Sequence, residues 1–259
     1  MDLQLRNKTA IVTGSTAGIG LAIARSLASE GATVFISGRS EDKLDAAVAA
    51  IGFPVRAVRC NATTAEGAAQ LIEAAPEADI LVNNLGIYDT AEFANIADED
   101  WQNLFNVNVM SGVRLSRHYL PKMMGRNWGR IIFIASDCAA MVIPDLIHYS
   151  ATKTAQLSIS RGLAETTRGS RVTVNSVLPS STRAEGTEGF VREAMRGRDM
   201  TVEEREKAFF KEHRPLSLIQ RMIEPEEVAA LVTYLSSPLA GAINGAALRI
   251  DGGNIPTLI

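Results

Sequence analysis

Three side chains carry groups suited to moving a proton to and from a carbonyl oxygen. Tyr149 and Lys153 stand four positions apart, so on a helix they share a face. A free phenol titrates near ~10, too high for a base at neutral pH, and a neighbouring ammonium favours the phenolate and pulls that value down. Tuned in this way, Tyr149 passes a proton to or from a substrate oxygen. Ser136 follows the apolar run Arg130 to Ala135, and its hydroxyl can hydrogen-bond the same oxygen. A Tyr-x-x-x-Lys pair by itself is also ordinary helix surface, so its meaning depends on what surrounds it.

A glycine-rich turn supplies that context. Thr13-Gly14-Ser15-Thr16-Ala17-Gly18-Ile19-Gly20 follows the apolar run Thr9-Ala10-Ile11-Val12 and opens a helical pattern of Leu21, Ile23, Ala24, Leu27 and Ala28. Such a strand–turn–helix brings backbone N–H groups and the positive end of a helix to a pyrophosphate. Gly14, Ser15, Thr16, Gly18, Ile19 and Gly20 are therefore the expected cofactor cradle. The spacing G-x-x-x-G-x-G lacks the Lys-Ser/Thr of a nucleotide-triphosphate loop. A second strand, Thr33 to Ile36, leads to Ser37-Gly38-Arg39-Ser40. An acid at the Gly38 position would accept from both ribose hydroxyls and favour NAD. Glycine there, followed by a guanidinium that can pair with a 2′-phosphate, favours NADP over NAD.

The elements needed to position these groups are legible as alternating apolar strands and amphipathic helices. Strands are expected at 55–58, 80–82, 130–135, 172–174 and 247–250, besides the two above. Helices are expected at 40–50, 65–74, 101–120, 149–166 and 225–235. Continuously apolar strands separated by helices imply a parallel sheet covered on both faces. The predicted fold is a Rossmann-type, doubly wound α/β sheet of seven strands in one domain spanning residues 1–259. Residues 180–221 break the rhythm: they are charged, largely helical and without an obvious strand, as expected of a substrate lid. Thr201 and Glu204 form a capping box there.

Taken together, Thr13 to Gly20, Asn83-Asn84-Leu85-Gly86, Asn108, Ser136, Tyr149-Ser150-Ala151-Thr152-Lys153 and Asp251-Gly252-Gly253 resemble the classical short-chain dehydrogenase/reductase family, most closely its 3-oxoacyl-carrier-protein reductase type. The resemblance runs from Lys8 to Gly253. It implies that Asn108, Ser136, Tyr149 and Lys153 form the catalytic set, with Asn108 distorting its helix and holding a water in a relay to Lys153. It implies that Lys153 and Tyr149 bind the nicotinamide ribose, that Asn61 and Ala62 lie by the adenine, and that Asn84 and Gly86 line the cofactor. It further implies a homotetramer built on the helices that carry Asn108 and Tyr149, and the apolar tail 255–259 can reach a neighbouring subunit. The chain departs from the family pattern at Leu85, Ser180 and Ala184. The family's carboxamide-holding threonine is Ala184 here, which leaves Thr182 or Thr187 to substitute.

Expected pocket walls are Met141, Val142, Ile143, Leu146 and His148, with Phe190, Val191, Met195, Phe209 and Phe210 from the lid. His148 fits a helix N-terminal surface position better than a wall. Arg192, Arg196, Arg198, Lys207 and Lys211 form a basic rim, unless the lid aromatics simply pack together and the charges are solvated. A net charge of −3 argues against nucleic acid or an anionic membrane as partner. Two cysteines, Cys60 and Cys138, give neither a disulfide framework nor a metal site, and Cys138 is expected to pack as a small buried residue. No secretory signal or long apolar span is visible, which fits a cytoplasmic protein. The sequence reading is an NADP-dependent oxidoreductase acting on a small-molecule carbonyl or secondary alcohol. An NAD-dependent sugar or polyol dehydrogenase, and a catalytically silent nucleotide sensor on the same fold, are the alternatives.

Overall fold

The computed structural model describes residues 2–258, apart from the side chain at position 185. Seven parallel strands form one sheet: β1 (Thr9–Val12), β2 (Thr33–Gly38), β3 (Val55–Arg59), β4 (Ile80–Asn83), β5 (Gly129–Ile134), β6 (Val172–Pro179) and β7 (Ala247–Ile250). Their order is β3-β2-β1-β4-β5-β6-β7. The strand order reverses between β1 and β4, which opens a crevice at their carboxyl ends. The helices are α1 (Gly18–Ser29), α2 (Glu41–Ile51), α3 (Ala65–Ala74), α4 (Asp98–Leu104), α5 (Ser111–Gly125), α6 (Ile147–Thr166), α7 (Glu185–Ala194), α8 (Val202–His213) and α9 (Pro225–Ser236). No described helix is long and apolar enough to cross a membrane.

The central strands are apolar on both faces because both faces are covered. Ala10, Val12, Val34, Ile36, Val82 and Ile132 pack with Ile23, Leu27, Val228 and Val232 of α1 and α9. Ile11, Leu81, Ile131 and Phe133 pack with Leu71 of α3 and with Leu115 and Tyr119 of α5. The predicted seven-stranded doubly wound sheet is the one observed. Two expectations need correction. The predicted helix 101–120 is longer and interrupted: Phe105–Met110 between α4 and α5 is a π-helical segment. The strand predicted at 172–174 continues to Pro179, all eight residues buried. Asn175 is held inside by donating to the Ile243 carbonyl at 2.8 Å and accepting from Ala246 N–H at 3.0 Å.

The segment 180–221 carries helices α7 and α8, whose Val191, Met195, Phe209 and Phe210 form a small core with Met222. A single parallel bridge, Thr182 to Ile223, ties its root down. The loop after α8 docks on the C-terminal turn, where the N–H groups of Leu218 and Ile219 donate to the Gly252 carbonyl at 2.8 and 3.3 Å.

The glycine turn is held by close approach. Gly14 and Gly18 have φ of 60° and 52°, the left-handed region where a side chain is disfavoured. A Cβ on Gly20 would lie 2.4 Å from the Gly14 carbonyl oxygen and 2.5 Å from Asn84 Nδ2. Gly20→Ala is expected to lower stability by about 1–3 kcal/mol. Urea unfolding reads this as a lower midpoint at an unchanged slope.

Candidate active site

The cleft opens at the carboxyl edge of β4, β5 and β6, with a cavity volume of about 220 Å³. Its lining includes seven of the predicted site residues: Ile19, Asn84, Gly86, Ser136, Tyr149, Lys153 and Thr182. Each is placed by a definable local cause. Ser136 follows β5 in an extended conformation and caps the short turn Asp137–Ala139. Its Oγ accepts from Cys138 N–H at 3.2 Å and donates to Asp137 Oδ1 at 3.0 Å. Tyr149 and Lys153 stand one helical turn apart on α6, with Lys153 Nζ 5.6 Å from the Tyr149 ring centroid. Buried Lys153 donates to the Ile134 carbonyl at 2.9 Å. Glycine at 86 makes room for it, since a Cβ there would come within 3.3 Å of Nζ.

The protein's own groups push the Tyr149 phenol up, not down as expected. Burial is the leading cause, the neighbouring Cys138 thiol and Asp137 carboxylate add to it, and the Ser136 hydrogen bond opposes it. Burial also pushes the Lys153 ammonium down to about 8. Lys153 is committed to the Ile134 carbonyl and does not reverse the effect of burial.

Asn108 lies in the π-helical segment, so the expected helix distortion is present. Its side chain joins two elements. Oδ1 accepts from Ile87 N–H at 2.8 Å, while Nδ2 donates to the Ile87 carbonyl at 2.9 Å and to Thr152 Oγ1 at 3.0 Å. Its main-chain carbonyl accepts from the Gln156 amide. In this structure both polar ends of Asn108 therefore have protein partners, and its visible work is to lock the loop after β4 onto α6.

The cofactor cradle divides into residues that can face a ligand and residues that hold the turn. Ser15 is fully buried and donates to the Val12 carbonyl at 2.7 Å while accepting from Ser37 N–H at 3.0 Å. Its hydroxyl is thus a strut between β1 and β2, which corrects its expected ligand role. Asn84 donates to the carbonyls of Thr13 and Gly14 at 2.9 and 3.0 Å. Asn61 Oδ1 already accepts from the Thr63 hydroxyl at 2.7 Å, so the acceptor expected for adenine is occupied. Ala62 is buried beneath α3. Thr16, half-buried, packs over Gly38, where a Cβ would lie 2.6 Å from its Cγ2. Arg39 is exposed at the end of β2. Leu85 packs into the core below the turn, against Gly14. Ala184 lies against Gly18. Thr182 donates to the Ser180 carbonyl at 2.9 Å, and Thr187 is hydrogen-bonded to the Tyr88 hydroxyl.

A nicotinamide dinucleotide fits this arrangement. Helix α1 begins at Ala17 without a side-chain cap and has no acid in its first turn. Helices α2, α3 and α8 are capped by Ser40, Thr64 and Thr201, while α4, α5, α6 and α7 share with α1 the lack of a side-chain cap; α1 alone of these follows the glycine turn. The free amides of α1 and the missing Cβ atoms at Gly14, Gly18 and Gly20 leave a positively polarised cradle suited to a pyrophosphate.

Several wall residues are not those expected. Of the five predicted from 141–148, only Leu146 lines the cleft. Val142 points to solvent, and His148 is 1% exposed, stacked edge-on to Trp101 at 5.9 Å. It is neither wall nor surface, because α4 folds over the start of α6. Of the lid aromatics only Phe190 reaches the cleft, while Phe209 and Phe210 fill the small helical core. The supposed basic rim is largely neutralised or outward-facing, with Arg196 on Glu193 and Arg198 on Glu212. Sequence reasoning missed Tyr88, Asp137, Arg214 and, behind them, Asn254. Tyr88 meets the Tyr149 ring edge-on at 5.9 Å. Asn254 donates to Asp137 Oδ2 at 2.8 Å. Adjacency to Ser136 and Gly86 is the signal that could have flagged Asp137 and Tyr88.

Residues 8–194 match the family model described as short chain dehydrogenase. The chain belongs to the short-chain dehydrogenase family. It is 53% identical to the uncharacterized oxidoreductase YvaG of Bacillus subtilis, over 98% of both chains. It is 34% identical to the 3-oxoacyl-[acyl-carrier-protein] reductase FabG of Aquifex aeolicus, over 98% of this chain and 99% of that one. Among solved structures, L-sorbose reductase of Gluconobacter frateurii, complexed with NADPH and L-sorbose, superposes with a TM-score of 0.92 at 33% identity and full coverage of both chains. The protein is accordingly an oxidoreductase of this family, acting on CH–OH or C=O groups.

Lys153 carries a stability cost with a defined pH signature. Its value of about 8 in the folded chain lies below the ~10.4 of an exposed lysine, so the unfolded state binds the extra proton between those limits and stability rises with pH across them. Lys153→Met is expected to be more stable than the native chain at pH 7 by roughly 1–3 kcal/mol. That advantage should be full below pH 8 and shrink toward pH ~10.4. Urea titrations of both proteins at several pH values check this, and parallel pH profiles would rule it out.

Proposed function

We propose that the protein is an NADPH-dependent reductase that converts a ketone to a secondary alcohol, with a 3-oxoacyl-type or other hydrophobic ketone as substrate. The observation that carries the reading is the convergence of Ser136, Tyr149 and Lys153 on one cleft, beside a helix N-terminus left uncapped for an anion. When bound, the cofactor supplies the hydride that reaches the carbonyl carbon. The Ser136 hydroxyl and the Tyr149 phenol take the carbonyl oxygen between them. Tyr149, kept protonated by burial, donates its proton to that oxygen as the carbon is reduced. Lys153 then stands behind the phenolate left on Tyr149, and it also holds the ribose. Asn108 keeps the loop after β4 and α6 in register. Residues 180–221 act as the lid, fastened by the Tyr88–Thr187 contact.

Arg39 supports NADPH over NADH. It is exposed at the end of β2 with no ion-pair partner among the described residues, whereas neighbouring Arg59 is held by Glu41 at 3.1 Å. The NADPH complexes of L-sorbose reductase and of an actinorhodin polyketide ketoreductase at 30% identity point the same way. We extend the reading to a homotetramer, as the family resemblance implies, working in the cytoplasm. A polyhydroxy ketone is the second reading, favoured by the likeness to L-sorbose reductase and by Asp137, Ser180, Ser181 and Thr187 in the cleft wall.

Oxidation of NADPH against a panel of ketones and 3-oxoacyl thioesters tests the reading. Tyr149→Phe is expected to reduce kcat at least ~100-fold while NADPH still binds, as followed by nicotinamide fluorescence. Retention of most of the activity would remove Tyr149 as the acid. Arg39→Asp is expected to weaken NADPH about 10- to 100-fold and shift preference toward NADH. An unchanged ratio of the two cofactors would refute the role of Arg39.

A further inference from the structure

Of the arginines in and around residues 180–221, some are paired with carboxylates while Arg192 and Arg205 have no ion pair among the described residues, and one is set apart by lining the cleft. Arg183 is held by Glu224 and Glu206, each at 3.0 Å, and Arg221 by Glu227 at 2.8 Å. Arg196 is paired with Glu193 at 3.0 Å, and Arg198 with Glu212 at 2.6 Å. None of these lines the cleft. Arg214, the residue after α8, does. It has no carboxylate partner among the described residues. Its Nη1 donates to the His213 carbonyl at 2.9 Å, and the guanidinium lies 5.6 Å from the Phe209 ring centroid. Its Nε is buried and has no acceptor. The positive charge reaches the floor of the site, since it opposes the burial-driven rise of the Cys138 thiol.

A guanidinium stays charged at any working pH and offers donors in a planar fork. A buried donor left unpaired is costly, and a charged one more so. The acid of the cleft does not relieve it. Both Asp137 oxygens are already taken, Oδ1 by the Ser136 hydroxyl and Oδ2 by Asn254. The other cation of the lining is Lys153, committed to the Ile134 carbonyl. One guanidinium without a carboxylate partner, its Nε lacking an acceptor and no second free cation beside it, matches a carboxylate better than a phosphate dianion.

We infer that Arg214 anchors a carboxylate on the substrate, so that the preferred ketones are oxo acids whose acid group reaches Arg214 while the carbonyl lies between Ser136 and Tyr149. This rests on the ketone-reductase reading and narrows its substrate class. The basic rim suggested by the sequence plays no part, because those side chains face outward or are paired. Arg214 is then a specificity-determining residue.

The test uses 2-, 3-, 4- and 5-oxohexanoate and the four methyl esters, with NADPH, on the native protein, Arg214→Gln and Arg214→Lys. The native protein is expected to prefer at least one acid over its ester by about 10- to 100-fold in kcat/KM, carried by KM. In Arg214→Gln that ratio should fall to near one, and Arg214→Lys should restore part of it. Equal use of acids and esters by the native protein would overturn the anchor and leave the reductase reading standing. So would a preference for the acid that survives Arg214→Gln. If no ketone turns over, the reductase reading fails, and calorimetric titration of the same eight compounds decides the anchor separately. Binding of an acid but not its ester, lost in Arg214→Gln, supports it; no difference between acid and ester overturns it.

Discussion

The site depends on a hydrogen-bonded joint at the point where β1 and β4 diverge. Thr13 Oγ1 donates to the Val82 carbonyl at 3.3 Å and accepts from the N–H groups of Asn84 and Leu85 at 3.0 and 3.2 Å. Asn84 returns two bonds to the carbonyls of Thr13 and Gly14. The crevice of a doubly wound sheet lies where its neighbouring strands lead away from each other. Without a tie, the two loops leaving those strands would be free to separate. With it, the glycine turn, the start of α1 and the loop carrying Gly86 to Tyr88 form one rigid rim. Asn108 then fastens that rim to α6 through Ile87 and Thr152. The proton-transferring side chains are thus fixed relative to the cofactor cradle by this chain of hydrogen bonds.

The interior of this rim is electrostatically unfavourable. Burial keeps Tyr149 protonated and pushes Lys153 toward its neutral form. Asp137 is buried beside Ser136, and Arg214 has a buried donor without an acceptor. Some of these groups are compensated locally: Asn254 and Ser136 satisfy Asp137, and the Ile134 carbonyl takes Lys153. A core built for stability alone would place apolar side chains here. The cost is carried by the two apolar layers on either face of the sheet, where the central strands are buried almost without interruption. That division of labour places chemistry at the strand ends and stability at the strand centres.

Much of this was legible in the chain itself. Continuous apolar strands, glycines and helical periodicity determined the sheet, its strand count and the position of the glycine turn, because those signals act over a few residues. The spacing of Tyr149 and Lys153, and the placement of Ser136 at a strand end, determined the three groups that meet in the cleft. Gly38 followed by Arg39 determined that no acid closes β2. Local rules also gave the Thr201 capping box, whose two bonds are both present. Tertiary structure alone decided the rest. Whether Ser15 faces a ligand or braces β2, whether His148 is surface or core, and which of the many lid arginines enters the cleft depend on contacts between elements far apart in sequence. Asn254 reaches Asp137 across 117 positions, and Arg214 differs from the other lid arginines in lining the cleft while having no carboxylate partner among the described residues. A sequence carries the charge of every side chain, but only the fold assigns its partner.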